Sequence, residues 1–277
     1  MNRFLVIVRA GDRSLHPHWT SALATRDWDL VVSYFGDDPA RFREGGETRI
    51  DDKGLKWPGL HALLARDDFW CGYDYIWLPD DDLAVDQATI SALFRHVVEL
   101  DLALAQPALS WISYYAHTIT VQHPTFRARW TNFVEIMAPC FERRFLEACL
   151  PTFGESLSGW GLDWIWPRQL GAETRRSGVI DAVTVTHTRP VGGPTYAKLS
   201  ELGVSAEDEG HALLRKYGME RDRPKTIRAI DARGVVLDGS VAEEAKVLEE
   251  LLARDRNAFA ASRLRLVTPS VVLTLNR

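Results

Sequence analysis

The sequence is poor in cysteine: it contains only Cys71, Cys140 and Cys149, and no two of them form a Cys-x-x-Cys pair. A small, odd number of cysteines at such spacings argues against a disulfide framework and against a zinc site. Thiols that stay reduced are typical of the cytoplasm. We therefore expect a cytoplasmic protein.

Basic clusters and long apolar segments are absent as well. The net charge is −5 and no block is rich in lysine or arginine, so the chain lacks the pattern of a nucleic-acid-binding protein. No segment approaches the roughly 20 apolar residues of a membrane span. The apolar run that begins at Phe4 is too short for a signal peptide. The oligomeric state is left open by the sequence.

What the sequence does contain is an alternation of predicted strands and helices. Phe4–Val8 is apolar throughout, which is typical of a strand covered on both faces. The predicted elements that follow are a helix over 15–25, a strand over 28–35, a polar loop over 46–54, a helix over 60–68 and a strand over 73–78. This order predicts an α/β fold with a mixed, mostly parallel sheet flanked by helices.

The segment Tyr73–Leu83 combines an aromatic strand with a cluster of carboxylates. Pro79 has no N–H group and ends the strand, and Asp80, Asp81 and Asp82 follow directly. Three adjacent carboxylates repel one another unless a cation or several donors neutralise them. Asp80 and Asp82, two residues apart, could converge on a divalent ion. A solvated acidic turn before the next helix is the alternative, and the residues alone leave both open.

Three further features carry polar groups that ligand binding could use. Glu135 lies in a predicted strand over 131–138, either as a functional group or on a solvated face. Gly159-Trp160-Gly161 allows close approach of the backbone to a ligand, and Asp163 follows at a helix start. A helix cap with Trp160 as a hydrophobic anchor is the alternative there. His187 directly follows a predicted strand over 179–186, either as a functional group or as a structural residue.

Together these segments resemble the GT-A glycosyltransferases, whose Rossmann-like fold binds nucleotide-diphospho-sugars. More closely, they resemble an uncharacterised family of that fold from plants and bacteria. The segments that carry the resemblance are Lys53–Trp57, Tyr73–Leu83, Gln106–Ala108, Val134–Pro139 and Gly159–Asp163. The resemblance covers about Arg3 to Pro194. We therefore expect a catalytic domain over 1–194 and a C-terminal α+β extension over 195–277, with helices at 206–217 and 241–252, a hairpin at 226–237 and a strand at 270–275.

The resemblance implies a role for each matched residue. Asp80, Asp82 and His187 would bind Mn²⁺ or Mg²⁺, and Asp163 would be the catalytic base. The usual Glu-Asp pair at that position is Leu162-Asp163 here. The expected contacts to the nucleotide-sugar are Arg9, Asp37, Lys56 and Asp81. Those expected for the acceptor are Glu135, Trp160 and Gly161.

The function implied is a metal-dependent, inverting glycosyltransferase with a nucleotide-sugar donor, for which UDP is favoured, and a glycan or small-molecule acceptor. One alternative is a nucleotidyltransferase, but Ala10-Gly11-Asp12-Arg13 is a poor match to the glycine-rich, basic phosphate loop of such enzymes. The other alternative is an inactive sugar- or nucleotide-binding module. The presence of Asp80, Asp82, Asp163 and His187 favours an enzyme.

Overall fold

The computed structural model describes residues 2–20, 26–44, 47–171, 176–190, 192 and 194–238. The end of the predicted helix over 15–25 and the elements predicted at 241–252 and 270–275 lie outside these ranges. Among the described helices, none combines the length and the apolar composition that crossing a membrane requires.

The described strands, in chain order, are β1 (Phe4–Ala10), β2 (Trp28–Tyr34), β3 (Thr48–Asp51), β4 (Tyr75–Trp77), β5 (Leu83–Ala84), β6 (Leu104–Leu109), β7 (Phe126–Thr131), β8 (Cys140–Glu142), β9 (Ser177–His187), β10 (Thr226–Asp231) and β11 (Val236–Asp238). They form one mixed sheet in the order β11-β10-β7-β9-β6-β8-β4-β1-β2-β3, with β5 added to β9.

Seven α-helices are described together with this sheet. Two short 3₁₀ helices lie at Phe69–Gly72 and Thr118–Thr120. The α-helices are α1 (His16–Trp19), α2 (Lys56–Arg66), α3 (Gln87–Glu99), α4 (Arg143–Phe153), α5 (Leu162–Gln169), α6 (Pro194–Glu201) and α7 (Ala206–Lys216). The predicted mixed α/β architecture is confirmed.

Strand direction places the ends of distant segments at one edge of the sheet. β1 pairs in parallel with β2 and β4, and β6 pairs in parallel with β9. β8 lies antiparallel between β4 and β6. The carboxyl ends of β1, β2, β4, β6 and β9 therefore share one edge. Antiparallel pairs are more frequent among the described strands than the sequence indicated, because β5, β7, β8, β10 and β11 all join in that direction.

Two hydrophobic cores cover the two faces of the sheet. Along β1, Phe4, Val6 and Val8 belong to one core, whereas Leu5 and Ile7 belong to the other. This alternation explains why β1 is apolar at every position and is buried throughout. Two buried faces hold the sheet edge rigidly, so the loops after the strands start from well-defined positions.

Two local predictions were wrong. The predicted loop over 46–54 contains β3, which pairs with β2 although its sequence, Thr-Arg-Ile-Asp, has no apolar pattern. The predicted strand over 131–138 ends at Thr131, and Glu135 lies in the loop between β7 and β8. Both partners of β7 begin beside its end, since Trp130 lies opposite Gly178 of β9 and Thr131 lies opposite Thr226, the first residue of β10. The residues after Thr131 therefore have no strand to pair with, and the Glu135 N–H donates to the Gln106 side chain at 2.6 Å.

The described part of the C-terminal extension joins the same sheet. β10 pairs with β7, and the predicted hairpin between β10 and β11 is present. The predicted helix at 206–217 corresponds to α7. The division of the chain at residue 194 stays a prediction.

Candidate active site

Asp82 and His187 meet where β5 pairs with β9. Leu83 lies opposite His187 in this antiparallel pair, which places the preceding Asp82 beside the histidine ring. His187 Nε2 is 3.3 Å from Asp82 Oδ2, and both side chains are about nine-tenths buried. The second carboxylate oxygen, Asp82 Oδ1, is fully buried and has no hydrogen-bond partner among the described residues.

The Tyr114 backbone determines which nitrogen of His187 faces the site. His187 Nδ1 lies 2.8 Å from the Tyr114 carbonyl oxygen. Because a carbonyl oxygen only accepts, Nδ1 carries a proton and Nε2 faces Asp82. Burial by itself lowers the pKa of His187, but the Asp82 carboxylate outweighs burial and raises that pKa to about 9. The same contact holds the pKa of Asp82 below its ordinary value, although burial by itself raises it.

Asp80 is turned toward a different partner. Lys56, the first residue of α2, donates from Nζ to Asp80 Oδ1 at 2.6 Å. The same ammonium group donates to the carbonyl oxygens of Ile136 and Met137 at 2.9 and 3.2 Å. Since an ammonium group has three donors, these contacts use the full capacity of Lys56. The predicted contacts of Asp80 with a metal and of Lys56 with a diphosphate stay predictions.

Asp81 holds the loop that follows β1. Its Oδ2 accepts from the Gly11 N–H at 2.8 Å, and its Oδ1 accepts from Arg189 Nη1 at 3.0 Å. Burial raises the pKa of Asp81 to about 6, and these two donors limit the shift. Asp81 therefore joins the ends of β1 and β9 across the site edge. A contact with the nucleotide-sugar is untested.

Glu135 and Asp163 are buried carboxyl groups, one in the loop before β8 and the other in the first turn of α5. Glu135 is 8% exposed and Asp163 is 4% exposed, and each has one oxygen without a hydrogen-bond partner in the described structure. Burial raises the pKa of Glu135 to about 7. Burial, together with the charge of Glu135, raises the pKa of Asp163 well above its ordinary value. A carboxyl group in this condition can hold or accept a proton near neutral pH.

The loop before Asp163 depends on its glycines. Gly159 has φ +85°, and an added Cβ would lie 2.2 Å from Trp57 Nε1. Gly161 has φ +95°, caps α5 and lies against Gly210 of α7, with 3.1 Å between an added Cβ and the Gly210 oxygen. Trp160 stays partly exposed and donates from Nε1 to the Tyr196 hydroxyl at 2.8 Å. The predicted acceptor residues Trp160 and Gly161 thus contact the C-terminal helices.

Arg9 and Asp37 lie at the β1–β2 side of the edge and do not meet. Arg9 is buried and donates to Ser33, Asp52 and the Gly54 carbonyl oxygen, so it holds β3 and the following loop in place. Asp37 is exposed and pairs with Lys53. The contacts of Arg9 and Asp37 with a nucleotide stay predictions.

Sequence reasoning missed two residues at this site edge. Phe35 follows β2, is 39% exposed and lies over the Arg9 guanidinium at 5.5 Å. Tyr196 belongs to α6, beyond the part of the chain that carried the resemblance. The signal for Phe35 was available, because an aromatic residue directly after a buried strand is placed at the ligand edge of an α/β sheet. Nothing in the sequence around Tyr196 pointed to the site.

A divalent ion fits part of this side-chain set. Asp82 and His187 supply a buried, unpartnered oxygen and an imidazole nitrogen whose other nitrogen is held by a carbonyl group, which is a common arrangement around metal-binding histidines. In the described ranges, no group of three His, Cys, Asp or Glu side chains is arranged to hold a metal. Further ligands would have to come from a bound molecule.

Comparison with known proteins identifies the fold. No family model and no curated protein match the sequence, so membership of the narrower plant and bacterial family gains no support. A solved structure of S. aureus TarS 1–349 with UDP-GlcNAc matches at 13% identity and a TM-score of 0.51, over 78% of this chain and 65% of that fragment.

Glucosyl-3-phosphoglycerate synthase from Mycobacterium tuberculosis, solved with Mn²⁺, UDP-glucose and phosphoglyceric acid, matches at 13% identity and a TM-score of 0.50, over 80% of this chain and 82% of that one. The described chain therefore has the GT-A-like fold of nucleotide-diphospho-sugar transferases. At such low identity the likeness concerns the fold alone.

Proposed function

We propose that this protein is a metal-dependent glycosyltransferase that moves a sugar from a nucleotide-sugar to a hydroxyl acceptor with inversion. The observation that carries the proposal is a set of three buried carboxyl groups, those of Asp82 beside the β5–β9 pair, Glu135 in the loop before β8 and Asp163 in the first turn of α5. Each has an oxygen without a partner among the described residues. Such oxygens are costly unless a ligand, a cation or a proton satisfies them.

The donor side is supported by the fold and by Asp82 and His187. TarS was solved with UDP-GlcNAc, and the mycobacterial synthase with UDP-glucose and Mn²⁺. On this basis we favour a UDP-sugar donor and Mn²⁺ or Mg²⁺, bound by Asp82 and His187. When bound, the ion would stabilise the negative charge that develops on the diphosphate leaving group.

The acceptor side is supported by Asp163. Its position in the first turn of α5 favours the ionised form through the helix dipole, whereas burial and Glu135 favour the protonated form. A carboxylate held between these influences is suited to take a proton from an acceptor hydroxyl as the new glycosidic bond forms. Inversion follows from this assignment, since a base that activates the acceptor allows direct displacement in one step.

Calorimetry of UDP binding tests the proposal. We expect Mn²⁺ to tighten UDP binding at least about tenfold over EDTA, because metal and diphosphate each supply ligands that the other needs. Asp82→Asn should remove this dependence. Asp74→Asn is the matched control. Asp74 directly precedes β4, so it lies at the end of that strand opposite to the acidic segment, and it pairs with Arg3. Equal UDP affinity with Mn²⁺ and with EDTA would count against the proposal, and metal-dependent binding without turnover would favour the inactive binding module.

A further inference from the structure

The acceptor side of the site contains two buried carboxyl groups without a cationic partner. Glu135 Oε2 and Asp163 Oδ1 are both fully buried and unpartnered in the described structure. Neither residue forms an ion pair with a described lysine, arginine or histidine. An unpartnered carboxyl oxygen away from water is unfavourable, so both oxygens require a hydrogen-bond donor.

Contacts between the two loops show that these groups share one region. Gly159 packs so closely on the Glu135 loop that an added Cβ would lie 2.9 Å from Ile136 Cδ1. The charge of Glu135 also contributes to the raised pKa of Asp163, after burial. Two carboxyl groups that repel each other do not readily ionise together, and one of them can act as a base only while the other keeps its proton.

The cations near this region do not form ion pairs with the two carboxyl groups. The Lys56 ammonium group is bound by Asp80 and two carbonyl oxygens. His187, which is paired with Asp82, lowers the pKa of Glu135. Arg221, whose guanidinium lies over the Trp164 ring at 5.0 Å, lowers the pKa of Asp163. Burial outweighs both cations. Since no described cation forms an ion pair with Glu135 or Asp163, a negative charge placed at their buried oxygens would meet two carboxyl groups first.

Trp160 and Tyr196 add a neutral, hydrogen-bonding surface. The Tyr196 oxygen accepts from the Trp160 indole N–H at 2.8 Å, which leaves the phenolic proton to donate elsewhere. Burial, together with the charges of Glu135 and Asp163, raises the pKa of Tyr196, so this hydroxyl stays protonated at neutral pH. An aromatic face beside a hydroxyl donor suits a sugar ring better than a phosphate or a carboxylate.

From this arrangement we infer that the acceptor is an uncharged polyhydroxyl compound, bound through two hydroxyl groups that donate to Glu135 and Asp163, with its ring beside Trp160. The inference rests on the proposed function. Hydroxyl groups supply the two donors that the buried oxygens lack. An anionic acceptor would instead make both carboxyl groups take up protons, and the base would be lost.

Matched acceptor pairs test the inference. Methyl glycosides of several hexoses and the corresponding methyl uronides, which differ by one carboxylate, would be offered with Mn²⁺ and the UDP-sugar found by donor screening. Release of UDP above the rate with water alone is the readout. We expect kcat/KM for the glycosides to exceed that for the uronides at least about tenfold, the factor that 1.4 kcal/mol of discrimination produces. Equal use of both, preference for uronides, or no response to any glycoside would overturn the inference.

Single variants test which residues cause the preference for glycosides over uronides. Glu135→Gln keeps an accepting oxygen but cannot ionise, so only Asp163 would still oppose the charge of a uronide, and the preference for glycosides over uronides should fall several-fold through the acceptor KM. Tyr196→Phe should raise the acceptor KM for glycosides, with the affinity for UDP and Mn²⁺ unchanged in both variants. Glu147→Gln is the control, because Glu147 is exposed on α4 and pairs with Arg143. Unchanged selectivity in Glu135→Gln would remove Glu135 from the site. If UDP binding does not depend on Mn²⁺, the proposed function itself is refuted.

Discussion

His187 Nε2 lies 3.3 Å from Asp82 Oδ2, and the Tyr114 carbonyl oxygen holds Nδ1 of the same ring. These residues are 105 positions apart in the chain, and the pairing of β5 with β9 brings them together. Without a metal the pair is an imidazolium–carboxylate contact. The stability of the metal-free protein should therefore depend on the protonation of His187.

We expect the metal-free protein to lose stability as the pH rises from about 6.5 to 9. The pKa of His187 is raised to about 9 in the folded protein, against about 6.5 for an unfolded chain. The stabilisation is thus fully present below pH 6.5 and is lost as the pH passes through 9. Its size is on the order of 3 kcal/mol.

Urea unfolding in EDTA across this pH range measures the effect. His187→Gln should flatten the profile, whereas His211→Gln, at a half-buried position of α7, should keep the wild-type profile. A wild-type profile in His187→Gln would show that His187 is not the titrating group.

Asp163→Asn should separate catalysis from stability. Because the pKa of Asp163 is raised well above its ordinary value, the unfolded carboxyl group ionises first, and the folded state loses stability as the pH rises above about 4. Asparagine removes this penalty, so the melting temperature at pH 7.5 should stay equal or rise. Turnover should fall about 10²-fold or more, with UDP affinity unchanged.

A capping role for Asp163 predicts the opposite result, with a lower melting temperature and normal turnover per folded molecule. Asp208→Asn provides the comparison, since Asp208 also lies in the first turn of a helix, α7, but is exposed. A stable Asp163→Asn protein with wild-type turnover would end the base assignment.

Glu209→Gln should disturb the loop over 154–161, which carries Trp160, although Glu209 itself belongs to α7. The Glu209 carboxylate accepts from the N–H groups of Leu157 and Ser158 at 2.7 and 2.8 Å, and from the hydroxyl groups of Ser156 and Ser158. These two hydroxyl groups in turn accept from the N–H groups of Gly159 and Trp160. Glutamine cannot accept all of these bonds, because its NH₂ group only donates.

We expect Glu209→Gln to lower turnover about 10- to 100-fold, since the loop that carries Trp160 and leads into Asp163 of α5 would be misplaced. The affinity for UDP, measured by calorimetry, should equal that of the wild type. Glu207→Gln, two residues away and exposed, is the control. Parallel loss of UDP affinity and turnover would indicate general damage to the fold.

Arg129→Leu tests a buried ion pair outside the site. Arg129 donates to both carboxylate oxygens of Asp181 at 2.9 and 2.8 Å, and both side chains are almost completely buried. Removing the arginine leaves Asp181 without its partner, which should lower the free energy of unfolding by about 3–5 kcal/mol. Chemical denaturation measures the loss. The double variant Arg129→Leu/Asp181→Leu should recover part of it, and a single variant as stable as wild type would contradict the prediction.

Short-range patterns in the sequence were sufficient for the elements whose stability is local. The apolar run at Phe4 predicts β1. The start of α3 is local as well, since the Asp86 side chain accepts from the Thr89 N–H. The acidic set after the aromatic strand was likewise visible, because Pro79 and three aspartates are adjacent. Burial periodicity and capping depend on near neighbours, and near neighbours are what a sequence displays.

Tertiary structure alone decided the partners of these residues. Asp80 is bound by Lys56 and Asp82 by His187. Glu135 lies outside a strand because both partners of β7 begin beside Thr131 and leave the following residues unpaired. The Trp160 loop depends on Glu209, far beyond the segments that carried the resemblance. A charged group can pair with any opposite charge that the fold brings near, and which one arrives is determined by strand order and register. The sequence by itself therefore determined which groups are present, while the packing of the sheet decided which carboxyl oxygens stay without a partner.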